Sequence, residues 1–124
     1  MTKVQPSAEN FAKQLEITNM IDNHLRIIED ETGLYSFHHP KLKHPSFLEL
    51  VAMGDKIVNY LFYLMFEYGS SWTILLLLDK IAQNKPEIPK EHTGKFYHQV
   101  TDWMTWYLAS DYYKSNDIYF NLVD

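Results

Sequence analysis

Apolar residues recur along this chain with helical spacing almost throughout. From Phe11 they fall at Leu15, Ile17, Met20, Ile21, Leu25 and Ile28, the i, i+3, i+4, i+7 series of a single apolar stripe. Lys13, Glu16, Asp22 and Arg26 take the polar face. Ser7 is placed to cap this helix and Glu9 favours its first turn through the helix dipole. Gly33 stops it, after an acidic end at Glu29-Asp30-Glu31 that opposes the dipole. Residues 1–6 read as a frayed end.

Residues 34–43, LYSFHHPKLK, carry no helical period and have two X-Pro steps nearby, so they read as an extended connector. Leu34, Tyr35, Phe37 and Leu42 are its candidates for packing on the helices. Period returns at His44. Pro45 suits a first turn, and Phe47, Leu48, Val51 and Ala52 make one apolar side, ended by Gly54. Asp55 is read as the cap of the next helix, folded back on the one before it. That helix has two apolar stripes, Ile57-Leu61-Leu64-Tyr68 and Val58-Phe62-Met65-Phe66, with Tyr60 and Tyr63 between them. A helix apolar over so much of its girth is central or is half of an interface.

Gly69 ends it, and Ser70 or Ser71 caps a helix holding Leu75 to Leu78, four leucines that cover a full turn and predict the most buried element. Asn84, Pro86 and Pro89 terminate it. Thr93 is the expected cap of a last long helix, with Phe96, Val100, Trp103 and Tyr107 as its stripe and Tyr97, Met104 and Leu108 widening it. Trp106 falls off that stripe and is left for the surface. The tail from Ser110 mixes turn residues with aromatics, and Tyr119, Phe120 and Leu122 are its anchors. The expectation is an all-α, compact single domain of about five helices spanning residues 1–124, with a connector at 34–43 and a loop at 84–93.

Composition narrows the picture. A chain of 124 residues buries roughly two thirds of its unfolded surface and needs no staples. Cysteine is absent, which removes disulfides and thiolate chemistry and points to a cytoplasmic protein. The first residues lack the apolar centre of a signal peptide, and no uncharged run approaches the roughly 20 residues of a membrane span. Net charge is −5 and Arg26 is the only arginine, which argues against nucleic acid as a partner. Lys41, Lys43 and His44 form the single basic spot.

Residues 44–65, HPSFLELVAMGDKIVNYLFYLM, resemble one helical hairpin of a HEAT-type repeat. His44-Pro45 and Phe47, then Asn84, Pro86, Gly94, Trp103 and Trp106, are together similar to a group of small uncharacterised all-helical bacterial proteins. The likeness covers about residues 44–107 and departs from the pattern at Asn59 and Lys95. It implies a fold and no catalytic residues. HEAT-type hairpins elsewhere serve as binding surfaces.

Candidate chemistry is thin. Three of the six histidines, His38, His39 and His44, lie close together; imidazole is a common metal ligand, but no carboxylate with ligand spacing accompanies them. His98 and Asp102 stand at i, i+4 on one helix, a spacing that can orient a general base and is equally a solvated pair. His92 is near in sequence. No nucleophile is identifiable, and Glu29-Asp30-Glu31 lacks the pattern of a calcium loop. The aromatic load, 15% of the chain, is more than the stripes absorb. Tyr60, Tyr63, Trp106, Tyr112 and Tyr113 lie off them, and exposed Tyr and Trp edges are typical of protein interfaces. The reading is a non-enzymatic protein-binding module. It would engage another protein or a second copy of itself as a homodimer, use no cofactor, and be inhibitor- or antitoxin-like and of bacterial or phage origin. The alternatives are a small His-based or metal-dependent enzyme, and a small-molecule sensor with an apolar pocket lined by Leu75 to Leu78 and Trp103.

Overall fold

The stripe that begins at Phe11 forms α1 (Ala8–Thr32), and the predicted cap holds: the Ser7 hydroxyl accepts from the Asn10 N–H at 3.0 Å. The computed structural model describes residues 7–33, 38–115 and 122. The expectations placed on Leu34, Tyr35, Phe37, Tyr119, Phe120 and residues 1–6 lie outside the described residues. At 25 residues α1 is about 37 Å long. Only the C-terminal half of its stripe is covered: Ile21 and Ile28 are fully buried, whereas Phe11, Leu15 and Met20 stay exposed. That half packs chiefly on α3, with α2 and α5 beside it.

The expected extended connector is in part a helix. His39–Lys43 forms α2, with Pro40 in its first turn, where the missing N–H costs no hydrogen bond. His44 then leaves helical backbone and opens α3 (Pro45–Met53), its Nδ1 accepting from the Ser46 N–H at 3.0 Å.

The break at Gly54 is longer than one residue. Gly54–Ile57 forms a 3₁₀ turn before α4 (Val58–Tyr68). α3 packs chiefly on α1, with α2 and α5 beside it, so it is not a simple partner of α4 folded back upon it. Asp55 does not cap α4. Its carboxylate accepts instead from the Tyr112 hydroxyl at 2.8 Å and the Gln83 side-chain amide at 3.1 Å. Both stripes of α4 are buried in its first half and emerge in its last turns, where Tyr63, Phe66 and Tyr68 are exposed.

Gly69 ends α4, and Ser71 caps α5 (Trp72–Ile81) by accepting from the Ile74 N–H at 3.3 Å. This leucine-rich helix is the centre of the fold, with Thr73, Ile74, Leu75, Leu77, Leu78 and Ile81 all buried. The loop after it holds a short 3₁₀ turn (Lys90–His92). Lys95, not Thr93, occupies the capping position of α6 (Phe96–Ala109), and no side chain caps it. Trp103 and Tyr107 are buried, and the Phe62 ring stacks on Tyr107 with centroids 4.0 Å apart and planes within 7°. The short α7 (Asp111–Ser115) follows, and Leu122 is buried in the same core. The domain is all-α, with no strand among the described residues. The five long helices are those the pattern predicts. No helix among the described residues is long and apolar enough to cross a membrane.

Candidate functional site

The uncovered half of α1 faces the emerging stripes of α4 across an open groove of about 800 Å³. Phe11, Leu15, Thr18 and Asp22 line its α1 side, at the i, i+4, i+7, i+11 positions of one helical face. Tyr60, Tyr63, Leu64 and Tyr68 line the other side. Tyr60 is not the exposed aromatic its spacing suggests: it is 5% exposed, and its hydroxyl donates to Asp22 Oδ1 at 2.7 Å. Burial first, then the hydrogen bond and the charge of Asp22, push its pKa well above the usual tyrosine range. Tyr63 and Tyr68 are open to solvent, at 38% and 78% exposed. Their rings meet edge to face with centroids 6.4 Å apart at 82°, while Tyr60 and Tyr63 stack at 5.9 Å. The Tyr63 pKa is raised, chiefly by Tyr68.

Gln14 closes the floor. Its side chain is 8% exposed, and Oε1 has no hydrogen-bond partner among the described residues. A buried acceptor without a donor is costly and uncommon in native folds.

The other aromatic candidates lie elsewhere. Trp106 is half-buried rather than at the surface: its indole N–H donates to the Asn84 carbonyl at 2.7 Å, and its ring packs beside Phe62, Trp103 and Tyr112. Asn84 holds the left-handed backbone (φ 56°) that aims this carbonyl. Tyr112 receives the Gln83 N–H at 3.0 Å and donates to Asp55, and burial raises its pKa. Trp106 and Tyr112 share a second hollow with Asp55 and Asp111. Tyr113 is exposed and leans edge-on against Tyr107. The five aromatics therefore do not form one patch: Tyr60 and Tyr63 share the α1–α4 groove, and the others stand apart from it.

The histidines are dispersed. His38 lies against Trp72 with ring centroids 4.7 Å apart, and His39 is exposed at the start of α2. His44 accepts at Nδ1, so its neutral ring carries the proton on Nε2 and donates it to Glu31 at 2.8 Å. Asp102 pairs with His92, at 2.6 Å from Nδ1, and not with His98 as the helical spacing suggests. His98 instead sits ring to ring with His92 at 5.0 Å. Among the described residues, no three His, Asp or Glu side chains are placed to hold a metal ion. The His24 ring meets the Ser46 hydroxyl at 2.9 Å, a pairing the sequence did not suggest, but Ser46 is buried and closed to a substrate.

The supposed basic spot is dismantled by burial. Lys41 is 6% exposed, and its ammonium donates to Glu29 and to Thr32, while Thr73 of α5 donates to the same Glu29 carboxylate. The acidic end of α1 is thus partnered: Glu29 by Lys41, Asp30 by Arg26 at 3.1 Å, Glu31 by His44. Leu75, Leu77, Leu78 and Trp103 belong to the packed core and line none of these hollows.

Asp22, Phe11, Leu15 and Tyr68 are groove residues that spacing assigned to core or solvent, and Gln14 drew no expectation at all. One signal was present. A helix 25 residues long cannot be covered along its whole length by α3 and α5, which have 9 and 10, so part of its apolar stripe had to remain open. No family model matches this chain, and neither a curated protein nor a solved structure matches it.

Proposed function

We propose that this chain is a non-enzymatic binding protein that engages another protein through the groove between α1 and α4. The observation that carries this reading is the contiguity of exposed Phe11, Leu15, Tyr63 and Tyr68 around one hollow. Exposed apolar surface gathered in one place is a mark of an interaction site. Tyrosines bring large contact area with a polar edge, the usual composition of interface anchors.

The charge balance supports a basic partner over a second copy. At net −5, two copies repel, whereas a basic surface is attracted and oriented. An inhibitor- or antitoxin-like protein that masks a basic patch fits this description.

The test is capture from the native host with the tagged chain, run beside a Leu15→Ser/Tyr63→Ser variant and a Tyr113→Ser control. The expected result is one stoichiometric basic protein, lost with the groove variant and retained with the control. Recovery of the bait alone, or capture indifferent to the groove variant, overturns the reading.

A further inference from the structure

We infer that the groove between α1 and α4 receives an amphipathic helix of the partner, with its apolar face against Phe11, Leu15, Leu64 and Tyr68 and basic residues on its flanks. This rests on the protein-binding reading and names the form and charge of the segment that docks.

The chemistry of the walls selects a helix. Both walls are α-helices, whose backbone N–H and C=O groups bond within their own turns. They present no strand edge for an incoming chain to extend. Their side chains offer little in its place. The Thr18 hydroxyl donates to the Leu15 carbonyl at 3.1 Å, the Tyr60 hydroxyl donates to Asp22, and Gln14 is buried. The α1 wall runs from Phe11 to Asp22, about 16 Å at the helical rise. An extended segment of that length brings about five residues, each with one backbone donor and one acceptor. Pressed onto apolar walls, the inward-facing groups lose water without replacement, which is unfavourable. A helix of about three turns spans the same length, satisfies its own backbone and turns only side chains to the walls.

Shape agrees with this choice. Phe11 and Leu15 stand at i, i+4 on α1, and Leu64 and Tyr68 at i, i+4 on α4. Such rows are the ridges between which the side chains of another helix seat. Phe11, Leu15 and Tyr68 are all exposed, so neither ridge is covered along its length.

Charge sets the flanks. Among the described residues that line the groove, Asp22 is the only one formally charged, and no Lys, Arg or His accompanies it. Glu67 is exposed and lies one turn after Tyr63 and Leu64, on the same face of α4. The Tyr63 pKa, raised first by Tyr68, is raised further by the charges of Glu67 and Asp22, so both carboxylates act at the groove. With a net charge of −5 behind them, Lys or Arg on the flanks of a docked helix is attracted and acidic flanks are repelled.

The experiment is titration of the full chain with three amidated peptides, followed by calorimetry and by NMR shifts of chain and peptide. The first is Lys-Leu-Ala-Lys-Leu-Leu-Lys-Lys-Leu-Ala-Lys-Leu-Leu-Lys, apolar on one helical face. The second has the same composition with leucine and lysine alternating, the period of a strand. The third is the first with glutamate for every lysine. The first peptide is expected to bind about tenfold more tightly than either of the others and to take up helical carbon shifts as it binds. Leu15→Ser, a change at an exposed position, is expected to weaken it about tenfold. Leu108→Ser, at an exposed leucine outside the groove, is expected to leave it unchanged. Asp22→Asn with Glu67→Gln is expected to bring the basic and acidic helices to within about threefold of each other.

Equal binding of the alternating peptide, with both lost in Leu15→Ser, overturns the helix and leaves the protein-binding reading standing. Equal binding of the acidic peptide, again lost in Leu15→Ser, overturns the basic flanks and leaves the docked helix. Binding indifferent to Leu15→Ser, or no shift at millimolar concentration, overturns the inference as a whole. The groove-dependent capture described above then decides independently whether the broader reading survives.

Discussion

Lys41 of α2 and Glu29 of α1 meet across the junction of the two helices, with the ammonium nitrogen 3.3 Å from Oε1. The two ends are unequal. Lys41 is buried, whereas the Glu29 side chain keeps 43% of its exposure and also receives the Thr73 hydroxyl. Glu29→Ala therefore strands a buried ammonium with Thr32 alone, a loss of about 2 kcal/mol once the solvent exposure of Glu29 is discounted. Lys41→Met replaces the ammonium by an apolar chain of similar length and leaves Glu29 in water with Thr73, a change of under about 1 kcal/mol. Urea unfolding of the two variants checks the asymmetry; equal losses would count against it.

The Phe62–Tyr107 stack joins α4 to α6, and the Tyr107 hydroxyl adds a hydrogen bond to Asn59 Oδ1 at 2.9 Å. Phe62 is fully buried. Phe62→Ala is expected to cost about 3–5 kcal/mol through lost burial and the cavity left behind. Phe66, an exposed neighbour on the same helix, is expected to cost under about 1 kcal/mol as Phe66→Ala. Thermal unfolding of both separates them.

Burial, with a smaller contribution from Tyr113, pushes the Tyr107 pKa up to about 12 from an ordinary 10.0. The folded state binds this proton more tightly than the unfolded chain. Its contribution to stability is therefore complete below pH 10 and is lost as pH rises through about 12. Tyr60 acts in the same direction. Alkaline titration followed by tyrosinate absorbance and circular dichroism should show a set of tyrosines that ionise only as the helices melt. Tyr107→Phe should move the alkaline midpoint upward, and an unchanged midpoint contradicts the assignment.

Gly54 (φ 76°, ψ −163°) and Gly69 (φ 92°, ψ 173°) hold backbone that essentially only glycine adopts. A Cβ at either position would meet nothing within 4 Å, so the penalty is entirely conformational. Gly54→Ala and Gly54→Asn are both expected to cost about 1–3 kcal/mol. Asparagine tolerates the ordinary left-handed region but not this one, so a rescue by Gly54→Asn in a denaturation series would refute the argument.

Much of the fold was legible because helices are local. Ser7, Ser71, Gly54 and Gly69 act within one turn of their own positions, and the stripes of α4 and α5 repeat at the helical period, so boundaries and burial follow from spacing. Asp55 and Thr93 misled for the complementary reason. Each is a good capping residue, but Asp55 finds a stronger use in Tyr112 and Gln83, far along the chain. Tyr60 and Trp106 lie off the stripes, yet each is drawn inward because its polar edge finds a partner, Asp22 for one and the Asn84 carbonyl for the other. Aromatics with a satisfied polar tip can be buried where period alone puts them outside.

The sequence by itself determined an all-α chain, the positions of its five long helices, the leucine-rich helix as the centre, and an excess of aromatics over what those helices absorb. These depend on residues a few positions apart, where backbone geometry dictates which side chains share a face. Tertiary structure alone decided which faces are covered. It left the first half of α1 open, joined Tyr60 to Asp22, buried Gln14 with no partner for its Oε1 among the described residues, and turned Lys41 from surface charge into a buried ion-pair partner of Glu29. Those outcomes depend on the relative lengths and crossings of helices distant in the chain, and residue periodicity carries no record of either.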